Sequence, residues 1–366
     1  MLRLSRPILC LLTLLSALSA DLSACSVPVF RYALEHWVAD EYQALVFHRG
    51  PLDGDAPGLV ERLRGRAGEP RPNLSVRTVD LDDPEAEEWL PVWKTLKADT
   101  LPWLVVRPDP RNGLHWLRES SPLNQASVDR LLDSPARREI VRRIGAGDSV
   151  VWLLLESGDA AADAAAAERL EKRLAYLGSV LKLPELSAAD IANGLVSVGV
   201  EGLKLKFSSL RVSRDDPAEA AFVRLLLGVE SDLVELQQPM AFAIYGRGRA
   251  LPPLVGAGIG EAMIDEEAIF LVGSCSCEVK EQNPGVDLLL TADWVGMLQR
   301  QARETPVAGA VKAAAEEIAR PEMVTFSNAP TATVERAESD AGREFDFAVP
   351  LLLLVLAAAA WSVRSR

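Results

Sequence analysis

Hydrophobic positions along the chain follow two rhythms, short apolar runs of strand length and longer stretches with apolar residues at helical spacing. Val27 to Ala39 (VPVFRYALEHWVA) sets Phe30, Leu34 and Trp37 at helical intervals behind Pro28, which a first helical turn tolerates, and predicts a first helix. Gln43 to His48 predicts a strand, broken by Gly50-Pro51-Leu52-Asp53-Gly54 before a helix from about Pro57 to Arg66. Leu74 to Asp80 alternates as a strand, and Asp82-Asp83-Pro84-Glu85 then starts an acid-capped helix through about Leu96. Thr100-Leu101-Pro102 leads into a strand from Trp103 to Arg107, a turn at Arg111-Asn112-Gly113, a strand from Leu114 to Leu117 and a helix from about Asn124 to Arg143. Asn-Gly between two apolar runs predicts a hairpin. Strands alternating with helices imply parallel pairing through right-handed crossovers, and the hairpin adds an antiparallel pair.

The second half repeats this order. Ser149 to Leu155 predicts a strand, Ala160 to Leu181 a long Ala-rich helix, and Leu203 to Val212 another strand. Asp215-Asp216-Pro217 stands 133 residues after Asp82-Asp83-Pro84, and Pro239 stands 137 residues after Pro102. Pro239 precedes a strand from Met240 to Tyr245 and a turn at Gly246 to Gly248, and Gly256 to Gly260 opens the last helix of the unit. Repeated order of this kind points to tandem related units, the alternative being two unrelated α/β units. Phe270 to Gly273 reads as an apolar strand leading to Cys275-Ser276-Cys277 and a turn at Asn283-Pro284-Gly285. After about Thr305 the composition shifts to Ala, Glu, Thr and Ser, which predicts a short helix up to Arg320 and then a flexible stalk.

The order helix, strand, helix, strand, helix, proline, hairpin, helix resembles the thioredoxin fold. The stretch Val76 to Gly113 (VRTVDLDDPEAEEWLPVWKTLKADTLPWLVVRPDPRNG) is similar to the thioredoxin segment in which a strand ending in Asp leads through an acidic helix to a cis-proline before the hairpin. The resemblance implies an α/β fold of two tandem thioredoxin-like three-layer domains, 26–146 and 147–300, with Pro102 and Pro239 as cis-prolines. A thioredoxin-like oxidoreductase also needs Cys-x-x-Cys where the helix after the central strand begins, because a helix N-terminus stabilises a thiolate. The corresponding positions are His48 to Asp53 and Glu156 to Asp159, and neither contains cysteine. The resemblance therefore implies no dithiol catalysis and no catalytic residue of that kind. Units of this type without the dithiol commonly serve as binding or scaffold modules.

The two ends bear on location. Arg3 and Arg6 followed by the apolar run Pro7 to Ala20 have the layout of a secretory signal, assigned to residues 1–24. Leu22-Ser23-Ala24-Cys25 resembles the bacterial lipobox, which implies a lipidated Cys25; ordinary cleavage nearby would instead leave Cys25 a thiol. Phe347 to Val363 is a run of 17 uncharged residues, roughly 26 Å as a helix against a hydrocarbon core of about 30 Å. Arg364 and Arg366 lie beyond it, and Glu344 and Asp346 before it. The positive-inside bias then leaves the tail 364–366 in the cytoplasm and the body outside, joined by a helix and stalk over 301–346. A buried C-terminal helix is the alternative. The expected address is the bacterial plasma membrane with most of the chain facing the periplasm.

Charge and cysteine content narrow the chemistry. With 39 Lys plus Arg against 52 Asp plus Glu, the 366-residue chain carries a net charge of -13, which disfavours nucleic acid, and 49% hydrophobic residues disfavour disorder. Four cysteines are too few for a disulfide scaffold. Cys275 and Cys277 would stand about 6.6 to 6.8 Å apart in an extended strand, so the pair reads as a strained, redox-labile disulfide, a soft-metal clamp, or two small buried residues. Cys25, His36, His48 or His115 could complete a metal site. Gly246-Arg247-Gly248-Arg249 lacks the Gly-Lys-Ser/Thr of a phosphate loop, and no Gly-x-Ser-x-Gly elbow occurs. The expectation is a membrane-tethered binding or scaffold protein without a cofactor, with protein partners in the envelope. The rival is a thiol-redox or soft-metal-handling protein using Cys275 and Cys277.

Overall fold

Two strands, Tyr42–His48 and Val150–Glu156, are almost wholly buried, and each sends alternate side chains into two different cores. Such strands must lie inside sheets covered on both faces, and the architecture of the computed structural model is accordingly mixed α/β. It describes residues 25–66, 68–96, 98–109, 119–199, 202–275 and 278–305. In chain order the first half comprises α1 (Val29–His36), β1 (Tyr42–His48), α2 (Ala56–Arg64), β2 (Arg71–Pro72) and β3 (Leu74–Asp80). A 3₁₀ helix over Pro84–Trp89 then runs into α3 (Leu90–Lys94), followed by β4 (Trp103–Pro108), β5 (Glu119–Pro122), α4 (Gln125–Leu132) and α5 (Pro135–Gly145). The second half begins with β6 (Val150–Glu156), α6 (Ala160–Val180), α7 (Ala188–Ala192), β7 (Phe207–Ser213), α8 (Ala220–Leu227) and β8 (Met240–Tyr245). It ends with β9 (Arg249–Ala250), β10 (Leu254–Val255), α9 (Glu261–Val272), β11 (Val286–Asp287), β12 (Thr291–Ala292) and α10 (Trp294–Glu304).

The first sheet has the order β3-β1-β4-β5; β1 is parallel to β3 and antiparallel to β4. The second has the order β7-β6-β8-β9-β11, with β6 parallel to β7 and antiparallel to β8. β9 and β10 both pair with β8, and Pro252 and Pro253 lie between them, where a residue without an N–H cannot extend a ladder. The two halves are stitched by the β2–β12 pair and share cores. Leu225 and Leu289 pack against the first sheet, while α1 and α5, expected in the first domain, pack against the second. Residues 26–146 thus do not close a core of their own. The physical reason is that Val27, Val29, Phe30, Tyr32, Ala33 and Trp37 find their apolar partners around Val150, Trp152 and Leu154. A β-bridge from Pro28 to Ser274 and the bonds Val29 N to Gly273 O and Cys275 N to Val27 O fix that segment in place.

Other departures from expectation have local causes. The single helix expected over Asn124–Arg143 is two, because Ser134 precedes Pro135, is extended, and caps α5 through a bond accepted from Arg137 N. The buried Arg137 guanidinium closes the end of α4 by donating to the carbonyls of Arg130 and Leu131. Among the described residues β5 runs over Glu119–Pro122, and β7 starts at Phe207 rather than Leu203. Phe270–Val272 is the last turn of α9, not a strand: a four-residue apolar run carries no period of its own. The expected leader 1–24, the turn and strand over 111–117 with His115, Cys277, and everything after Thr305 lie outside the described residues. Among the described residues, no helix is long and apolar enough to cross a membrane.

Candidate binding surface

Three of the four sheet faces are covered by helices that bury large side chains. One face of the second sheet lies under α6, α9 and the α1 segment, the other under α5 and α8, and one face of the first sheet under α2 and α4. The fourth, made by Leu45, Phe47, Val79 and Val105, is roofed among the described residues only by the 3₁₀ helix and α3, and α3 fully buries none of its residues. Trp89, Trp93 and Trp103 pack on that face while remaining partly exposed. The Trp93 ring lies 5.3 Å from that of Phe47, and the guanidinium carbons of Arg77 and Arg107 stand 5.1 Å and 5.5 Å from the Trp89 ring centre. Trp103 Nε1 is buried and has no hydrogen-bond partner among the described residues. Aromatic groups with flanking arginines supply large apolar area and planar donors, the composition favoured at the centre of protein interfaces.

Pro102 borders this face. The Leu101–Pro102 peptide is cis, Leu101 is 36% exposed, and Pro102 O accepts from Leu123 N. Pro239 is a correction: no cis bond precedes it, trans being the ordinary form of an X–Pro bond, and its carbonyl accepts from Gly256 N. The loop after β1 is held from β3, where the Asp80 carboxylate accepts from Gly50 N and Asp82 N. Those bonds, Asp82 N foremost, hold its pKa below the usual carboxylate range. His48 pairs its own Nδ1 with Gly50 O, and Arg49 is ion-paired to Asp82. The loop after β6 is closed from within α6 by buried Asp163, which accepts from Ser157 N, Ser157 Oγ and Gly158 N, while Asp159 caps the helix. Where the resemblance would put dithiols, both loops are tied by carboxylates.

Two of the three sequence-predicted cysteines come together in one core. Cys25 and Cys275 are both buried in the core over the second sheet, and Cys277 lies outside the described residues. Burial raises the Cys25 thiol pKa, opposed by a backbone bond at Val27 and reinforced by Asp190 and Glu278. Cys25 is 6% exposed and packs among the apolar residues of that core. His36 is exposed and pairs with Leu195 O, and His48 is at the far end of β1. Among the described residues no group of three His, Cys, Asp or Glu side chains could hold a metal ion. The Asp-Asp-Pro repeats act as turn caps, Asp83 accepting from Glu85 N and Asp216 from Ala218 N. Sequence reasoning missed the tryptophan cluster, although Trp89 and Trp93 at helical spacing and Trp103 opening a strand were its signal. No family model, curated protein or solved structure matches the chain.

Proposed function

We propose that the chain is a membrane-tethered, extracytoplasmic binding or scaffold protein, built on two redox-inactive thioredoxin-like units, that presents the Trp89–Trp93–Trp103 face to a protein partner in the envelope. The thin roof over that face carries the reading: apolar and aromatic area is left at the surface there, flanked by arginines. The thioredoxin-like part is supported by the strand order common to both sheets, a central strand with a parallel neighbour on one side and an antiparallel neighbour on the other. The tether is supported by the apolar run Phe347–Val363 with Arg364 and Arg366, and the extracytoplasmic address by Pro7–Ala20 behind Arg3 and Arg6. The thiol-redox or metal-handling alternative draws no support from Cys275, which is 1% exposed and therefore poorly placed for exchange.

The test is affinity capture from detergent-solubilised membranes with the native chain and with Trp89→Ala plus Trp93→Ala. A Cys275→Ser plus Cys277→Ser chain serves as comparison. The expected outcome is a defined partner retained by the native chain and the Cys275/Cys277 variant and lost, by tenfold or more (about 1.4 kcal/mol), from the tryptophan variant. Equal capture by the tryptophan variant removes the surface assignment. Loss confined to the cysteine variant, with its melting temperature unchanged, transfers the function to the thiols.

A further inference from the structure

β3 is an edge strand: in the order β3-β1-β4-β5 it pairs only with β1. The parallel register, with Tyr42 opposite Leu74, and the bonds Tyr42 N to Asn73 O and Leu81 N to His48 O set which way each peptide group faces. Ser75, Arg77 and Val79 turn their N–H and C=O groups toward β1, so Val76 and Thr78 turn theirs away from the sheet. Among the described residues those outward groups have no hydrogen-bond partner, and both side chains are only half-buried. The corresponding edge of the second sheet, β7, is blocked instead, the Arg143 guanidinium donating to Ser209 O. β5, at the other edge of the first sheet, is four residues long and ends in Pro122. β3 runs for seven residues without a proline or a bulge, and such an edge accepts another strand unless something closes it.

The surroundings of this edge select what pairs with it. Val79 packs into the tryptophan face, and by strand alternation Arg77 shares that side, its guanidinium carbon 5.1 Å from the Trp89 ring centre. A groove of about 180 Å³ borders β3 and the 3₁₀ helix there, lined by Arg77, Asp80, Asp83, Glu85, Glu88 and Trp89. Arg77 is ion-paired to Glu88, and Asp80 and Asp83 accept backbone bonds. Glu85 is exposed and has no ion-pair partner among the described residues. Four carboxylates against one guanidinium leave the groove negative. A second copy of the chain, pairing by the same edge, would bring an identical acidic groove alongside the first, and like charges repel. An extended segment carrying lysine or arginine gains both the backbone bonds and the attraction.

We propose that β3 accepts a basic, extended segment of the protein partner as an added strand, its backbone on Val76 and Thr78 and its cationic side chains over the groove at Glu85. The proposal names the partner's chemistry at the tryptophan face and rests on that face being the docking surface. Titration of a fluorescein-labelled peptide of alternating lysine and valine into the full chain in uncharged detergent micelles tests it. The same peptide N-methylated along one backbone edge and a glutamate–valine peptide are the controls. Saturable binding of the lysine–valine peptide is expected, with each control weaker by about tenfold or more. Val76→Pro removes an outward N–H that β1 does not use, and Glu85→Lys reverses a charge at an exposed position; each should weaken binding about tenfold. No saturable binding, equal binding of the N-methylated peptide, or an affinity unchanged in either variant overturns the proposal. A chain that dimerises, and ceases to do so as Val76→Pro, overturns it in favour of a second copy. In membrane capture, a partner lost from the Trp89→Ala plus Trp93→Ala chain but retained by both β3 variants removes the added strand and leaves the surface assignment standing. Equal capture by the tryptophan variant removes the surface assignment, while the peptide titration still reads the edge.

Discussion

Glu267 on α9 keeps one carboxyl oxygen out of solvent with no hydrogen-bond partner among the described residues. Burial, reinforced by Glu266, pushes its pKa up to about 8. In the fold the group holds its proton to that pH, whereas the unfolded chain releases it above the ordinary value of 4.5. The stability this contributes is therefore complete below about 4.5 and is lost as pH rises through about 8. Glu267→Gln should melt close to the native chain at pH 5 and be more stable at pH 9 by about 1–3 kcal/mol, discounted for partial exposure. Melting curves from pH 5 to 9 check this, and parallel curves for the two chains would refute it. Cys25 gives a second prediction at this scale. Its thiol should resist iodoacetamide in the folded protein and react on denaturation, because burial shields it and raises its pKa. Equal rates of labelling before and after denaturation would refute this.

Helices and strands were legible where a side-chain period had room to declare itself. Tyr42–His48, Leu74–Asp80 and Met240–Tyr245 stand as strands close to the expected bounds, and Asp83 caps the 3₁₀ helix where Asp-Asp-Pro placed it, whereas Asp216 closes a turn four residues before α8 begins. The end of α9 was not legible, because this helix packs on both α6 and the α1 segment and so lacks one clean apolar stripe. The tryptophan face was illegible for another reason: whether Trp93 is core or surface depends on how little lies above it, which no local pattern encodes. The break between α4 and α5 is written in Ser134-Pro135, because a residue before proline disfavours the helical conformation. That break creates a joint that depends on Glu219, which is 2% exposed and accepts from Ala136 N at 2.6 Å, in the first turn of α5. It also supplies the first of the charges opposing the burial that draws Arg137 down to about 10. Glu219→Ala removes a carboxylate from a helix N-terminus and a countercharge from a buried guanidinium. A loss of about 2–4 kcal/mol is expected, read as a lower urea midpoint, and an unchanged midpoint would show that the joint does not depend on it.

At the scale of the whole molecule, the shared cores decide how the chain can come apart. The sequence divides naturally at residue 146, between the two repeated orders, yet a cut there would sever α1 and α5 from the sheet they cover. The seam is also closed by Asn73, which donates to Leu288 O and accepts from Leu290 N, and by Tyr42, which donates to Asp287 O. Buried Asp287 is in turn paired with Arg249 and Lys280, and Lys280 with Asp40, so four charged groups from three chain segments neutralise one another across the join. Removing either half would strand a buried charge and expose apolar area together, and residues 25–305 should therefore unfold in one step. Limited proteolysis of the native chain should leave a single protected body spanning about residues 25 to 305, and fragments 26–146 and 147–300 expressed separately should fail to fold. Coexpression of a 25–134 fragment with a 135–305 fragment should do better than either alone, because the partners of α1 and β2 are then supplied in trans. Two independently stable halves, each with its own cooperative transition, would show that the interlocked cores contribute little to stability.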